Sequence, residues 1–207
     1  MTLDPAALST FLAAFALALV SPGPNFALML RIGLVSGRKA ALRTTLGIAV
    51  GEAIWGAAAL FGVAALALRY PLLGTAIRWA GGLFLLWLAF SALRSAWRGP
   101  TREPQPRDGA SAPGGIGTGL ALMLLNAKAG FFWVSLTGVL IGPAASPATA
   151  AVALAFAVLL SLLWHTALAL AFSGTRVTAL YARARRGIEA ALGTALTALG
   201  LKLLAAS

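Results

Sequence analysis

The feature that most restricts the fold of this 207-residue chain is a set of six apolar runs, each long enough to cross a bilayer. An α-helix rises 1.5 Å per residue, so about 20 apolar residues cover a hydrocarbon core about 30 Å thick. An open sheet would leave backbone groups unpaired in lipid, so runs of this length predict a helical bundle. The predicted spans cover approximately residues 5–30, 44–68, 79–97, 114–142, 149–172 and 188–206.

Composition agrees with this prediction. Hydrophobic residues make up 60% of the chain and charged residues 10%, whereas soluble domains are about 25% charged. So few charges cannot cover the surface of a soluble fold of this size. The first four residues carry an acid and no base, so we expect the first run to be retained and not cleaved as a secretory signal.

The basic residues predict the orientation of the chain in the membrane. A formal net charge of +11 would suggest nucleic-acid binding in a soluble protein. Here eleven of the 16 Lys and Arg residues lie between runs one and two, three and four, or five and six, and a twelfth, Arg94, lies near the end of run three. These alternate connections share one side, which the positive-inside rule makes cytoplasmic. Both termini are therefore expected on the opposite side, and nucleic acid is not an expected partner.

A change of composition divides the chain in two. Residues 99–113 mix Pro, Gly and charged residues, which is typical of a flexible linker. The linker joins residues 1–98 to residues 114–207 within a single transmembrane transporter domain. Each half has three spans, so the second half enters the membrane from the opposite side. We therefore predict an all-α membrane protein of six transmembrane helices, arranged as two inverted three-helix halves.

The first helix of each half is interrupted. Pro22-Gly23-Pro24 breaks the first span, and the polar residues Asn126 and Lys128 interrupt the fourth. Matching interruptions in two inverted halves are the sequence pattern of a secondary transporter with a binding site near the bilayer midplane.

Three unusual features fall near one depth in the membrane. Counted at 1.5 Å per residue from the nearest basic residue, the Pro22–Pro24 break lies roughly 10–13 Å deep, Glu52 roughly 13 Å and His165 roughly 16 Å. This coincidence predicts a site close to the bilayer centre.

Glu52 and His165 are the candidate proton-coupling residues. Glu52 is taken as the only acid inside a span, where a carboxylate is costly and usually functional. It would face a watery cavity, pair with a cation or hold a proton; the structural alternative is an ion pair, for example with Lys128. His165 could relay protons because imidazole titrates near neutral pH. The alternative is a neutral hydrogen bond between helices.

The interruptions supply the candidate substrate-binding residues. Pro22, Gly23 and Pro24 remove two backbone donors and expose the amides that follow, beginning with Asn25. A half-helix N-terminus at this depth attracts anions such as a substrate carboxylate; the alternative is a simple kink. In the second half, Asn126 and Lys128 are the candidates. Asn126 would bond substrate or a neighbouring helix, and Lys128 would either line the site or extend to the cytoplasmic surface.

Several chemistries are excluded or not expected. The chain has no Cys, one His and five acids, so disulfides are excluded and no metal-ligand cluster is expected. It has no Walker A motif, and Gly115-Ile-Gly117-Thr-Gly119 follows no strand, so no cofactor is expected. Pairs of Gly four residues apart are interpreted as close-packing positions between helices; they are Gly33/Gly37, Gly47/Gly51, Gly115/Gly119 and Gly138/Gly142.

Five segments carry a family resemblance. They read SPGPN at 21–25, GRKAAL at 37–42, GIAVGE at 47–52, RWAGGLFLLWL at 78–88 and LNAKAGFF at 125–132. Together they resemble the lysine exporter and homoserine/threonine efflux (LysE/RhtB-type) family. The resemblance implies a six-helix exporter of amino acids or related compounds in the bacterial inner membrane. It also implies coupling to a cation gradient, usually of protons.

The chain departs from the family pattern at two places. The family usually has Asn-Pro-Lys where this chain has Asn126-Ala127-Lys128, which predicts a softer break in the fourth helix. It commonly has Asp where this chain has Glu52. Glu52 keeps the acid one methylene longer, and neither departure overturns the resemblance, which still implies the family's function.

We therefore expect a secondary active exporter of amino acids or similar zwitterionic metabolites that works by proton antiport and alternating access. It would not be an enzyme, and its partners would be the lipid bilayer and a small-molecule substrate. The alternative is a membrane-embedded enzyme or scaffold, with Ser161 and His165 one turn apart as a weak nucleophile and base. The sequence leaves open the substrate, the coupling ion and the oligomeric state, for which a homodimer is one alternative.

Overall fold

A computed structural model describes residues 3–21, 24–98, 114–140, 146–171 and 175–205. Every regular element in these ranges is a helix, which confirms the all-α class. The elements are α1 (Pro5–Val20), α2 (Pro24–Val35), α3 (Gly37–Ala57), a π-helical segment (Ala58–Val63), α4 (Ala64–Arg69), α5 (Pro71–Arg98), α6 (Ile116–Leu125), α7 (Ala127–Leu140), α8 (Pro147–Ala171) and α9 (Thr175–Ala205).

The helices begin at residues suited to the first turn. Helices α1, α2, α5 and α8 each start with Pro, whose fixed φ and missing N–H cost nothing at that position. At α1 the Asp4 carboxylate accepts hydrogen bonds from the amides of Ala6 and Ala7, at 3.1 and 3.0 Å. At α8 the Ser146 hydroxyl accepts one from the Thr149 amide, at 3.1 Å. Capping therefore fixes where these apolar helices start.

Four described helices are long and apolar enough to cross a membrane, or five if a bent pair is counted as one span. The α3–π–α4 segment is one continuous helix of 33 residues, and α6 and α7 form the bent pair. The first predicted span is α1, a shorter apolar helix, followed by α2. Pro22 and Gly23 lie outside the described residues, as does the linker 99–113. Six spans and two inverted halves therefore remain predictions.

The helices extend beyond the predicted spans. Helix α3 begins at Gly37 instead of residue 44, α5 at Pro71 instead of residue 79, and α9 at Thr175 instead of residue 188. Many of the basic residues assigned to loops therefore lie on helix ends. Apolar runs locate only the lipid-covered part of a helix, and the backbone ladder continues through polar residues that face water.

Glycines bring α3 and α6 into close contact. A Cβ added at Gly47 would collide with the backbone of Ile116 and Leu120, and one added at Gly119 with that of Thr44. Two helix backbones can approach this closely only where side chains are absent. The close-packing interpretation of Gly47 and Gly119 is thus confirmed, whereas Gly115 has open space around it.

The main core surrounds one tryptophan of α7. Trp133 is fully buried, with Phe11 and Phe15 of α1 at ring-centroid distances of 5.8 and 5.4 Å. Helix α5 packs along α9, and α3 packs against both α6 and α8. Large apolar side chains such as Trp87 and Phe90 of α5 remain more than half exposed on the outer surface, as expected where lipid replaces water.

Candidate functional site

The helices enclose a cavity of about 280 Å³. Its wall includes the C-terminal part of α5 and the middle of α9. Its lining includes Asn25, Glu52, Asn126, Lys128 and His165. Residues from both parts of the chain, chosen from sequence alone, therefore meet at one cavity. Of the other candidates, Pro24 is the first residue of α2, and Pro22 and Gly23 are not among the described residues.

Glu52 is held by side chains of two other helices. It is 4% exposed, and its Oε1 accepts a hydrogen bond from the indole N–H of Trp133 on α7. Its Oε2 accepts one from the Ser161 hydroxyl of α8, at 3.3 Å. A buried carboxylate requires such donors to offset the loss of hydration. Helix α3 places Glu52 here because Gly51, directly before it, packs against the Met123 side chain of α6.

His165 is linked to Glu52 through Ser161. Its Nδ1 lies 2.9 Å from the backbone oxygen of Ser161 and 3.3 Å from the hydroxyl oxygen. The same hydroxyl contacts the Glu52 carboxylate, so the three polar groups form one chain of contacts at the cavity wall. Both of these His165 contacts lie within α8, so they are not the hydrogen bond between helices of the structural alternative, and the proton relay stays a prediction.

This chain of contacts does not resemble a hydrolytic triad. In a Ser–His–acid triad the acid binds the far side of the imidazole and fixes its orientation. Here the acid contacts the serine hydroxyl directly, and the histidine contacts the same serine from its own helix. The geometry therefore does not favour the intramembrane hydrolase.

Asn126 produces the interruption of the fourth span. Its side-chain Oδ1 accepts from the Ala129 amide at 3.3 Å, while its backbone oxygen accepts from Ala129 and Gly130 at 2.9 and 3.2 Å. It thereby caps α7, and the helix bends by 63° at this point. The expected softening is not seen: with Ala at position 127 the helix is still fully broken. A capping Asn side chain satisfies the backbone donors at such a break without Pro.

The freed end of α6 is bound by the first half of the chain. The indole N–H of Trp55 donates to the Met123 carbonyl at 3.1 Å. The Asn25 side-chain amide donates to the Met123 sulfur at 3.4 Å. Among the described residues, the Asn25 Oδ1 is buried without a hydrogen-bond partner. An unsatisfied acceptor at a cavity wall is a position where a bound molecule can donate.

The sequence reasoning missed a second acid. Glu189 of α9 lies within the candidate span Arg183–Ala205, lines the cavity and is 4% exposed. The expectation that Glu52 is the only acid inside a span is therefore wrong. Among the described residues, the Glu52 oxygens accept hydrogen bonds from Trp133 and Ser161 and not from Lys128, so the alternative that Lys128 pairs with Glu52 is not what the structure shows.

A signal for Glu189 was present in the sequence. It is the second residue of the last apolar run and lies one helical turn after Arg185, which also lines the cavity. Its position near the end of a run made it resemble an ordinary membrane-edge residue. The Ser95 hydroxyl of α5, which donates to Glu189 Oε1 at 3.4 Å, lies 94 positions away and could not be predicted as its partner. Within the described residues, no three His, Asp or Glu side chains come together as a metal site would require.

Comparison with known proteins assigns the sequence to a family. The sequence model of the family described as LysE type translocator matches residues 16–207. The uncharacterized membrane protein YahN of Escherichia coli K12 is 29% identical over 99% of this chain and 92% of its own length. The threonine efflux protein of the same strain is 28% identical over 90% of this chain and 92% of its own. The leucine efflux protein of Enterobacter sp. 638 is 36% identical over 59% of this chain and 57% of its own. No solved structure matches the chain.

Proposed function

The chain belongs to the LysE type translocator family, and we propose that it is a secondary active exporter of amino acids or related small zwitterionic metabolites across the bacterial inner membrane. The observation that carries the proposal is the cavity, in which polar residues of both parts of the chain meet inside an apolar bundle. Relatives named for threonine and leucine efflux support the substrate class.

In this proposal the substrate carboxylate lies at the N-terminal ends of two broken helices. Helix α2 begins at Pro24, the last residue of the Pro22-Gly23-Pro24 segment, and α7 begins at Ala127, directly after Asn126. The partial positive charge of a helix N-terminus favours a carboxylate. Lys128 in the first turn of α7 adds a full positive charge, and Asn25 Oδ1 offers an acceptor for a substrate N–H.

Glu52 couples export to protons in this account. It sits where α3, α7 and α8 meet, and its contact with Ser161, which in turn contacts His165, gives a proton a short path along the cavity wall. An embedded carboxylate that can be reached in turn from either side exchanges its proton during the transport cycle.

The exporter works by alternating access between two inverted halves, residues 1–98 and 114–207. The packing of matching spans supports this arrangement. The third predicted span of one half (α5) packs along the third of the other (α9), and the second span of one half (α3) packs against the second of the other (α8). Rocking of one half against the other would expose the central cavity to each side in turn.

Counterflow in proteoliposomes tests the proposed function. Vesicles that contain the purified protein are loaded with one unlabelled amino acid and diluted into the same amino acid carrying a radiolabel. The panel covers the neutral, basic and acidic amino acids. The proposal predicts transient accumulation of chemically unchanged label for at least one of them, above that of protein-free vesicles. Accumulation of none, or conversion of the label to a product, would contradict it and favour the scaffold or enzyme alternative.

A further inference from the structure

A group of charged side chains lies where α5 and α9 line the cavity. The role proposed above for Glu52 does not involve this group. Its centre is Glu189, a buried acid in an otherwise apolar stretch of α9. The Ser95 hydroxyl donates to Glu189 Oε1 at 3.4 Å. Arg185, one turn before Glu189, and Lys128, in the first turn of α7, are the Arg and Lys residues that line the cavity with it. All four residues line the cavity.

The two acids of the cavity have different surroundings. Both oxygens of Glu52 accept hydrogen bonds from fixed protein donors, Trp133 and Ser161, in the core of the bundle. Glu189 instead receives a long hydrogen bond from Ser95 and shares the cavity lining with Lys128 and Arg185. Long Lys and Arg side chains can change rotamer and take a new anionic partner, whereas a carboxylate clamped by an indole and a hydroxyl cannot move freely.

We propose that Glu189, Lys128 and Arg185 form the subsite for the zwitterionic head group of the substrate, which for this chain is an amino acid with a neutral, apolar side chain. Glu189 binds the ammonium group, and Lys128 with Arg185 binds the carboxylate. This inference rests on the proposed function and assigns the ammonium to Glu189, so that Glu52 is left to carry the proton.

The chemistry of the cavity supports this substrate class. A zwitterion inserted between Glu189 and the two cations replaces one set of opposite charges by another, so no charge is left unpaired in a medium of low dielectric constant. The remaining lining is largely apolar and includes Phe15, Leu88, Phe132 and Leu196. A further charge on the substrate side chain would lie in this apolar part of the cavity, away from the charged residues, where burial is costly.

Binding to three matched probes tests the subsite. Leucine carries both charged groups, 2-hydroxy-4-methylpentanoate has the same side chain and carboxylate without the ammonium, and 3-methylbutylamine has the ammonium without the carboxylate. Calorimetric titration of the protein in lipid nanodiscs gives a Kd for each. Wild type is expected to bind leucine more tightly than either analogue by about tenfold or more, since each analogue leaves a charged protein group unpaired.

Each variant should bind a different pair of probes more weakly. Glu189→Gln is expected to raise the Kd of leucine and of the amine by about tenfold or more and to change the Kd of the hydroxy acid little. Lys128→Gln should raise the Kd of leucine and of the hydroxy acid and leave that of the amine unchanged. Glu189→Asp, which keeps the charge, should restore part of the loss. Glu103→Gln, an acid in the segment 99–113, is the matched control and should behave as wild type.

Two outcomes would overturn the inference. If Glu189→Gln raised the Kd of all three probes equally, Glu189 would have a structural role. Absence of leucine binding by wild type, while the counterflow panel finds another transported amino acid, would contradict the apolar substrate class and leave the proposed function standing. Failure of the whole counterflow panel would contradict the proposed function itself.

Discussion

At the scale of single residues, the carboxylate of Glu52 shows which part of a site a sequence reveals. An acid within an apolar run is visible in the sequence because burying it is costly. Its partners are not visible: Trp133 and Ser161 lie 81 and 109 positions away, and an indole N–H and a hydroxyl are ordinary groups in a membrane helix. The sequence could predict that Glu52 is important, but only the packing of α3 against α7 and α8 shows what holds it.

Replacement of Trp133 tests this contact. Trp133→Phe keeps an aromatic ring between Phe11 and Phe15 but removes the N–H that binds Glu52. The variant is expected to lose about 1–3 kcal/mol of stability, because a buried acceptor loses its donor. Unfolding in mixed micelles with increasing SDS measures the change. Trp87→Phe, on the exposed face of α5, is the matched control; a Trp133→Phe protein as stable as this control would show that the contact is unimportant.

At the scale of helices, the fourth span shows both the success and the limit of the sequence analysis. Asn126 and Lys128 correctly marked the interruption between α6 and α7. The absence of Pro at position 127 suggested a softer break, yet the two helices meet at 63°. The missing information was the cap: Asn126 replaces the lost backbone ladder with its own side-chain acceptor. Helix ends were also placed too far inside, because polar residues extend the helices past the lipid.

The close contact between α3 and α6 predicts a specific effect of added methyl groups. Gly119→Ala places a Cβ against the backbone of Thr44, so the two helices must separate. We expect a loss of about 1–3 kcal/mol in stability and reduced transport, because α6 ends at the cavity. The matched control is Gly117→Ala, since a Cβ there meets nothing within 4 Å; it should be neutral or more stable by up to about 1 kcal/mol.

The same unfolding assay and the counterflow assay measure both variants. Equal behaviour of Gly119→Ala and Gly117→Ala would contradict the account of backbone contact between the two helices.

At the scale of the whole molecule, the sequence predicts the fold class and part of the cavity lining, but not the charged group around Glu189. The all-helical class followed from the apolar runs, and the meeting of Asn25, Glu52, Asn126, Lys128 and His165 at one cavity followed from depth and broken helices. The charged group around Glu189 did not follow. Its members come from α5, α7 and α9, and only the packing of α5 on α9 brings Ser95 to the acid.

The basic clusters predict which side of the membrane each terminus occupies. With the three basic connections in the cytoplasm, a reporter fused after Ser207 should lie in the periplasm. Paired alkaline phosphatase and green fluorescent protein fusions measure this, because the first is active only in the periplasm and the second folds well only in the cytoplasm. A fluorescent, phosphatase-inactive fusion that is fully inserted would overturn the predicted orientation.

The central claim is that a carboxylate buried at the meeting point of three helices couples amino-acid export to protons. Glu52→Gln keeps the size of the side chain and much of its hydrogen bonding but removes the titrating group. Glu52→Asp restores the acid one methylene shorter and should keep part of the activity. Glu103→Gln serves as the control for loss of an acid outside the described bundle.

The decisive measurement compares two modes of transport in the same proteoliposomes, export driven by an imposed pH gradient and exchange of labelled for unlabelled amino acid without one. The account predicts that Glu52→Gln loses gradient-driven export, down to the rate measured without the gradient, while exchange persists because it needs no net proton transfer. Gradient-driven export by Glu52→Gln at the wild-type rate would contradict the account and move the coupling role to another residue, with His165 the next to test.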